Sequence, residues 1–186
     1  MKILANDGIS QSGIDDLTTA GFEVLTTTVA QEQLENFINT ENIVALLVRS
    51  ATTVRQDLID ACPNLKIIGR GGVGMDNIDV EYAREKGLSV INTPAASSES
   101  VAELVFAHLF SGVRFLYDSN RTMPLEGESK FKNLKKAYAK GTELRGKTLG
   151  VIGFGRIGQA TAKMALGLGM KVIAFDPFLE KTTLSL

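Results

Sequence analysis

One turn constrains this chain more than any other feature. Gly153-Phe-Gly155-Arg-Ile-Gly158 follows the run Lys147-Thr-Leu-Gly-Val-Ile and opens a helix-like segment; a second apolar run, Val172 to Phe175, then ends in Asp176, eighteen residues past the last glycine. Each part has a physical task in holding a dinucleotide. Gly153 permits a tight turn, Gly155 lets backbone approach a pyrophosphate, and Gly158 lets helix pack closely on strand. The free N–H groups at the helix start, with the helix dipole, favour phosphate charge. Asp176 is placed to accept hydrogen bonds from the two hydroxyls of an adenosine ribose. A carboxylate there repels a 2′-phosphate, and Pro177-Phe178 brings no arginine to receive one, so the pattern selects NAD over NADP. Arg156 is the nearest cation, lying along the pyrophosphate or in solvent. A purely structural glycine turn and an S-adenosylmethionine site are the competing readings. The strand–turn–helix–strand context weighs against the first, and the complete glycine spacing with Asp176-Pro177 weighs against the second.

The first ninety residues alternate apolar runs with helix-like stretches. Strands are expected at Lys2–Ala5, Phe22–Leu25, Ile43–Val48, Leu65–Gly69 and Leu88–Ile91, with helices near 11–20, 30–39, 54–62 and 79–86. The nearly all-apolar runs at 43–48 and 65–68 suit parallel strands covered on both faces. Asp79 can cap the last helix and Gly87 can end it. Five strands joined by four crossovers make a small, doubly wound α/β domain of flavodoxin-like type.

Asn92-Thr93-Pro94 breaks that rhythm. Ser100-Val-Ala-Glu103 then offers a capping box for a long helix over 98–117. Its stripe at 101, 104, 105, 108, 109, 112, 115 and 116 is apolar apart from His108 and Gly112, and Ala102, Phe106, Phe110 and Val113 form a second apolar face. A helix apolar on both sides is expected to be buried on both, bridging two domains or two subunits. Residues 121–147 hold eight Lys/Arg against three Asp/Glu and few aliphatics, a basic arm read as a solvated connection, with phosphate or acid binding as the alternative.

A second glycine cluster, Gly69 to Gly74, follows the fourth strand, where a parallel α/β domain binds ligands. Four glycines exceed what a strand-to-helix turn requires and would let backbone N–H groups face a carboxylate. Arg49-Ser50 ends the third strand, and a guanidinium there suits an anionic substrate, unless it serves a surface ion pair. His108, the only histidine, reads as a packed interface residue, and Cys62 as packing before Pro63. No cysteine cluster, His-Glu-x-x-His pattern or paired His/Cys spacing suggests a metal. The net charge of −1 predicts no general affinity for nucleic acid or anionic membranes. With one cysteine, no signal-peptide core and no apolar run near the ~20 residues of a membrane span, the expected location is cytoplasmic.

These residues together resemble the D-isomer-specific 2-hydroxyacid dehydrogenases, most closely the D-3-phosphoglycerate dehydrogenase branch. The likeness runs over essentially the whole chain, on Arg70-Gly-Gly-Val-Gly-Met-Asp-Asn-Ile-Asp79, Val90-Ile-Asn-Thr-Pro94, Ser100-Val-Ala-Glu103, Gly146 to Gly158, Gly169-Met-Lys-Val and Asp176-Pro177. It implies a flavodoxin-like substrate domain over 1–94, then the first part of a Rossmann NAD-binding domain over 95–186. It also implies that Arg49, Ser50, Gly72, Val73, Gly74 and Asn92 face an anionic 2-hydroxy or 2-oxo acid. NAD would meet Gly153, Gly155, Arg156, Ile157, Gly158 and Asp176, with Val73 near the nicotinamide, and a homodimer would form through 98–147.

Two departures from the family pattern stand out. Phe131 stands where members often carry tryptophan, and Thr93-Pro94 is followed by Ala95, so no Thr-Pro-His motif is present. The family's catalytic arginine, glutamate and histidine come from a later part of the nucleotide domain, roughly another hundred residues given about thirty per β-α unit. The expectation is that no catalytic residue lies in these residues and that the chain alone is inactive. The early nucleotide-domain strands should then show a bare apolar face. A non-catalytic NAD-responsive interaction module, or a glycerate or lactate dehydrogenase, are the alternative functions.

Overall fold

The structure, a computed structural model, describes residues 1–178, so the end of the expected nucleotide domain, 179–186, lies outside the described residues. The chain separates into two compact units, Met1–Ala96 and Ser97–Leu186.

In the N-terminal unit, β1 (Lys2–Ala5), β2 (Glu23–Leu25), β3 (Ile43–Val48), β4 (Ile67–Arg70) and β5 (Ser89–Asn92) form one parallel sheet in the order β2-β1-β3-β4-β5. That is the flavodoxin-like strand order, with its switch point between β1 and β3. The intervening helices are α1 (Gln11–Thr19), α2 (Gln31–Glu41), α3 (Gln56–Ala61) and α4 (Val80–Glu85). Leu4, Leu34, Ile38, Ile43, Leu46, Leu65 and Ile68 are buried in its core. Each such side chain contributes about 1.5–3 kcal/mol when fully removed from water. The all-apolar β3 therefore sits at the centre of the sheet, between β1 and β4.

Helix ends follow local chemistry. Ser10 caps α1 by accepting from the Gly13 amide. Gly87, at φ +84°, ends α4 in the left-handed region that glycine enters without a Cβ penalty. Asp79 departs from expectation: it precedes α4 but makes no side-chain cap there. Its carboxylate instead accepts from the Gln56 amide at the start of α3 and from Arg55 Nη1 at 2.8 Å. The ion pair and the orphan amide of a neighbouring helix together outcompete its own helix.

The second unit contains α5 (Ser98–Val113), α6 (Leu116–Tyr138), β6 (Thr148–Ile152), α7 (Arg156–Gly167) and β7 (Lys171–Phe175). β6 and β7 pair in parallel, with Val151 opposite Ala174. Two expectations are corrected here. The helix anticipated over 98–117 stops at Val113, because Phe115 adopts φ +55° and the Arg114 and Phe115 amides fold back onto Phe110 and Gly112 carbonyls. Ser97 occupies the N-cap position, so Ser100 and Glu103 lie inside the helix rather than in a capping box. The basic arm is helical from Leu116 to Tyr138, interrupted at Lys130 (φ −120°, ψ 17°). Its Glu, Lys, Leu and Ala content favours helix, and Glu126 pairs with Lys130 one turn on at 2.8 Å.

Among the described residues of the second unit, one side of α5 is covered. Phe106 joins Leu144, Ala165 and Met170 in a small core, with Leu109 and Val113 against it, whereas Leu104 and Val105 are exposed. The β6–β7 pair is likewise open on one face, where Ile152, Ile173 and Phe175 are 91%, 68% and 65% exposed. That is the bare apolar face anticipated for the first strands of a nucleotide domain.

Candidate functional site

A cleft of ≈ 660 Å³ opens at the carboxyl ends of β1, β3, β4 and β5 in the N-terminal unit, lined by residues that include Asp7, Arg49, Arg70, Gly71, Asn92 and Thr93. It spans the β1/β3 switch point, where diverging crossovers leave a crevice in an open α/β sheet. Arg49 leaves β3 directly at this crevice and makes no ion pair among the described residues. Ser50 is exposed on the same loop.

That loop is held by buried polar side chains. Asp7, two residues past β1, accepts from the Arg49 amide at 2.6 Å, the Thr52 amide at 3.1 Å and the Thr52 hydroxyl. Partial burial opposes ionisation of Asp7, but the Thr52 hydroxyl and the amides of Arg49, Thr52 and Ala51 outweigh it and hold the carboxyl below its ordinary value. Asn77, from the loop after β4, donates to the Arg49 and Thr52 carbonyls at 2.9 and 2.7 Å. Asn6 donates to Thr52 Oγ1 at 2.8 Å and exchanges bonds with the Val29 backbone.

The glycine loop after β4 is braced from β5. The Asn92 side chain donates to the Val73 carbonyl at 2.7 Å, and the Thr93 amide to the Gly72 carbonyl at 3.1 Å. Gly72 lies against the Arg70 guanidinium, which leaves no room for a Cβ unless that side chain moves. Val73 is 40% exposed beside it. Arg70 lines the cleft, and its buried Nε has no hydrogen-bond partner among the described residues. The structure thus brings Arg49 and Asn92 to one cleft, with Gly72, Val73 and Gly74 on the adjoining loop. Asp7, Asn6, Thr52, Asn77 and Arg70 are members of this assembly that motif reasoning did not single out. The available signal was an Asn-Asp-Gly turn directly after the first strand, at a carboxyl end.

In the second unit the three glycines of the turn have distinct geometries. Gly153 sits at φ +89°, and its amide donates to the Phe175 carbonyl at 2.8 Å. Gly155 has ordinary extended backbone at the N-cap of α7 and nothing within reach of an added Cβ. Gly158 is buried inside the first turn of α7, where a Cβ would collide with the Gly153 carbonyl oxygen. No side chain caps α7, so the amides of its first turn are free to face a ligand, and Arg156 is exposed beside them while Ile157 is half-buried. Asp176, just past β7, accepts from the Phe154 amide at 2.7 Å and the Phe178 amide at 2.9 Å. Each carboxylate oxygen keeps a further lone pair for a hydroxyl donor. The arrangement fits a dinucleotide: phosphate at the helix start, ribose at the acid. His108 lies on α5, apart from both constellations in sequence, and no group of three or more metal-ligating side chains occurs among the described residues.

Comparison with known proteins gives a consistent picture. A sequence model of the D-isomer specific 2-hydroxyacid dehydrogenase catalytic domain matches residues 3–182. A hydroxypyruvate reductase of Thermotoga maritima is 54% identical over 139 residues, covering 75% of this chain and 44% of that protein. A D-3-phosphoglycerate dehydrogenase of Methanocaldococcus jannaschii is 42% identical over 181 residues, covering 97% of this chain and 33% of that protein. The NAD⁺-bound 3-phosphoglycerate dehydrogenase of Entamoeba histolytica superposes with a TM-score of 0.74 at 30% identity, covering 98% of this chain and 56% of that one. The chain therefore spans less than half the length of these two curated relatives.

Proposed function

The chain belongs to the D-isomer specific 2-hydroxyacid dehydrogenase family, and from that premise we propose that it is the substrate- and NAD-binding portion of an NAD-dependent dehydrogenase of 3-phosphoglycerate. The observation that carries the cofactor half is the division of labour among Gly153, Gly155 and Gly158, with Asp176 at the neighbouring strand end. First-turn amides of α7, with Arg156 and Ile157, would hold the pyrophosphate, and Asp176 the adenosine ribose. The Asp176 carboxylate, close to a 2′-phosphate, would disfavour NADP. NAD, when bound, supplies the acceptor for hydride leaving C2 of the hydroxy acid.

On the substrate side, the Gly72 amide is held by the Arg70 carbonyl at 2.9 Å, so within the loop Gly72–Gly74 the Val73 and Gly74 N–H groups would meet the carboxylate, with Asn92 bracing the loop and Ser50 beside Arg49. Arg49 and Arg70 line the cleft, and two guanidinium groups suit the extra charge of a phosphoryl substituent. Hydride departure from an alcohol also needs a base for the hydroxyl proton. No residue of this chain is assigned that task, and the 186-residue polypeptide alone is expected not to turn over.

The glycerate–hydroxypyruvate pair is a second reading for the substrate, favoured by the 54% identity to the T. maritima hydroxypyruvate reductase. We further propose a homodimer through 98–147, supported by the exposed Leu104, Val105, Leu116, Tyr117 and Phe131 on α5 and α6. No helix among the described residues is long and apolar enough to cross a membrane.

Calorimetric titration tests the proposal. NAD should bind, NADP more weakly, and S-adenosylmethionine not at all. Binding of S-adenosylmethionine without NAD would overturn the cofactor assignment. Parallel titrations with 3-phosphoglycerate and glycerate decide between substrates, and turnover by stringently purified chain would refute the expected inactivity.

A further inference from the structure

A carboxylate beside an anion cleft is an electrostatic liability unless it performs a task that no neutral group can. Asp7 lines the cleft that holds Arg49, yet it does not pair with the Arg49 guanidinium. Its two oxygens face the loop backbone instead. Oδ2 takes the Arg49 amide at 2.6 Å and the Thr52 amide at 3.1 Å, and Oδ1 takes the Thr52 hydroxyl. From the opposite side, Asn77 takes the Arg49 and Thr52 carbonyls. Residue 49 is thus gripped at both its amide and its carbonyl, which fixes the direction of its Cα–Cβ bond while its side chain makes no ion pair among the described residues.

From this geometry we infer that Asp7 is a positioning residue for substrate recognition. It does not touch substrate; it orders the loop 49–52 so that the Arg49 guanidinium points into the cleft without being neutralised. The inference rests on the reading of Arg49 as a substrate contact. The physical requirement is for an acceptor on both oxygens. Three donors from Arg49 and Thr52 converge on Asp7, and hydrogen bonds to an ionised acceptor are roughly twice as strong as neutral ones. Asparagine has the same shape but presents an NH₂ donor to one set of these donors, so Asp7→Asn breaks the grip without creating a cavity. The donated charge also offsets the carboxylate's repulsion of an incoming anion, because three dipoles point at it.

The test is a double-mutant cycle on the 186-residue chain, with 3-phosphoglycerate as the probe in calorimetric titration and a two-dimensional amide spectrum of each variant. Asp7→Asn should weaken binding roughly tenfold, as for the loss of one charge-assisted contact. Arg49→Ala should weaken it by at least as much. The double variant should bind no worse than Arg49→Ala alone, because Asp7 acts through Arg49. In the spectrum, the Arg49 and Thr52 amides should move in Asp7→Asn while the amides of Leu4 and Leu46 stay in place. Additive losses in the cycle would overturn the inference, as would unmoved Arg49 and Thr52 amides. If wild type binds no 3-phosphoglycerate, or Arg49→Ala binds as wild type does, the substrate reading of Arg49 fails. Positioning of Arg49 for recognition then falls with it, and the moved amides would leave Asp7 as a loop anchor alone.

Discussion

Alanine placed at each glycine of the 153–158 turn separates backbone strain, packing and ligand access. At Gly158 the new Cβ would fall deep inside contact with the Gly153 carbonyl oxygen, with Gly153 C at 3.2 Å and Val151 Cγ1 at 3.3 Å. The first neighbour is backbone, so α7 must move away from β6. Overpacking of this kind costs about 1–3 kcal/mol, and the gain in helix propensity of up to ~1 kcal/mol recovers only part of it. At Gly153 the space is open, but φ is +89°, and a left-handed alanine costs roughly 1–2 kcal/mol. At Gly155 neither problem exists: φ is −70° and no atom lies within 4 Å of the added Cβ. There the loss should stay under about 1 kcal/mol, the N-cap preference of glycine over alanine. Urea unfolding followed by far-ultraviolet circular dichroism, with NAD titrated calorimetrically into each variant, measures both quantities. Gly158→Ala and Gly153→Ala should be destabilised, whereas Gly155→Ala should keep its stability and lose NAD affinity by more than tenfold. A Gly158→Ala protein as stable as wild type would refute the packing argument. A Gly155→Ala protein that binds NAD normally would refute the placement of the pyrophosphate.

Other perturbations probe the N-terminal unit and the open face. Asn6→Leu strands the Val29 amide and carbonyl in a buried site and should cost about 2–4 kcal/mol, read as a lowered Tm; an unchanged Tm would contradict the buried network. Burial first, and the nearby Glu35 charge second, push the Cys62 thiol up to about 11, so it should resist Ellman's reagent at mildly alkaline pH until denaturant is added. Because the folded value exceeds the ordinary 9.0, stability should fall as pH rises through that interval, and Cys62→Ala should remove that slope. Asp7 has the opposite sign: its carboxyl is held below the ordinary 3.8, so its contribution is present above that value and lost as pH falls through the lower folded value. Asp7→Asn should therefore flatten the acid limb of a stability–pH curve. Replacing Ile152 and Phe175 with lysine should leave this chain folded and more soluble, since both are largely exposed; unfolding of the second unit by the pair would show that the face is covered.

Much of this architecture was legible in the residues. The limits of β1 and β3 match the runs expected at 2–5 and 43–48, and in β3, apolar throughout as a strand covered on both faces must be, no polar residue blurs the ends. Gly87 and Gly153 were legible for a related reason: a positive φ selects glycine, so sequence and backbone state the same constraint. The weaker readings lay where a side chain had a choice of partners. Asp79 stands at the N-cap of α4 but serves α3, and Ser100 matches a capping box but sits inside a helix already begun at Ser98. Local patterns count the donors close in sequence, whereas those choices depend on donors that arrive from elsewhere.

The same division runs through the candidate site. The glycine turn, Asp176, Arg49 and the cluster at 71–74 are short-range signals, because each meets its requirement within a few residues or at a strand end. With the apolar runs between them, the sequence by itself determined a parallel α/β fold and the limits of β1 and β3, and it pointed to the chemistry of a dinucleotide turn. The tertiary structure alone decided that Asp7 grips residues 42 and 45 positions away, and that Asn77 clamps the same loop from 28 and 25 positions away. It also decided that Phe115 breaks the long helix and that, among the described residues of the second unit, one face of α5 packs on Leu144, Ala165 and Met170. The physical reason is range. Periodicity and backbone sterics act between neighbours in the chain, but a buried hydrogen bond is chosen by whichever partner the packed fold brings within 3 Å or so.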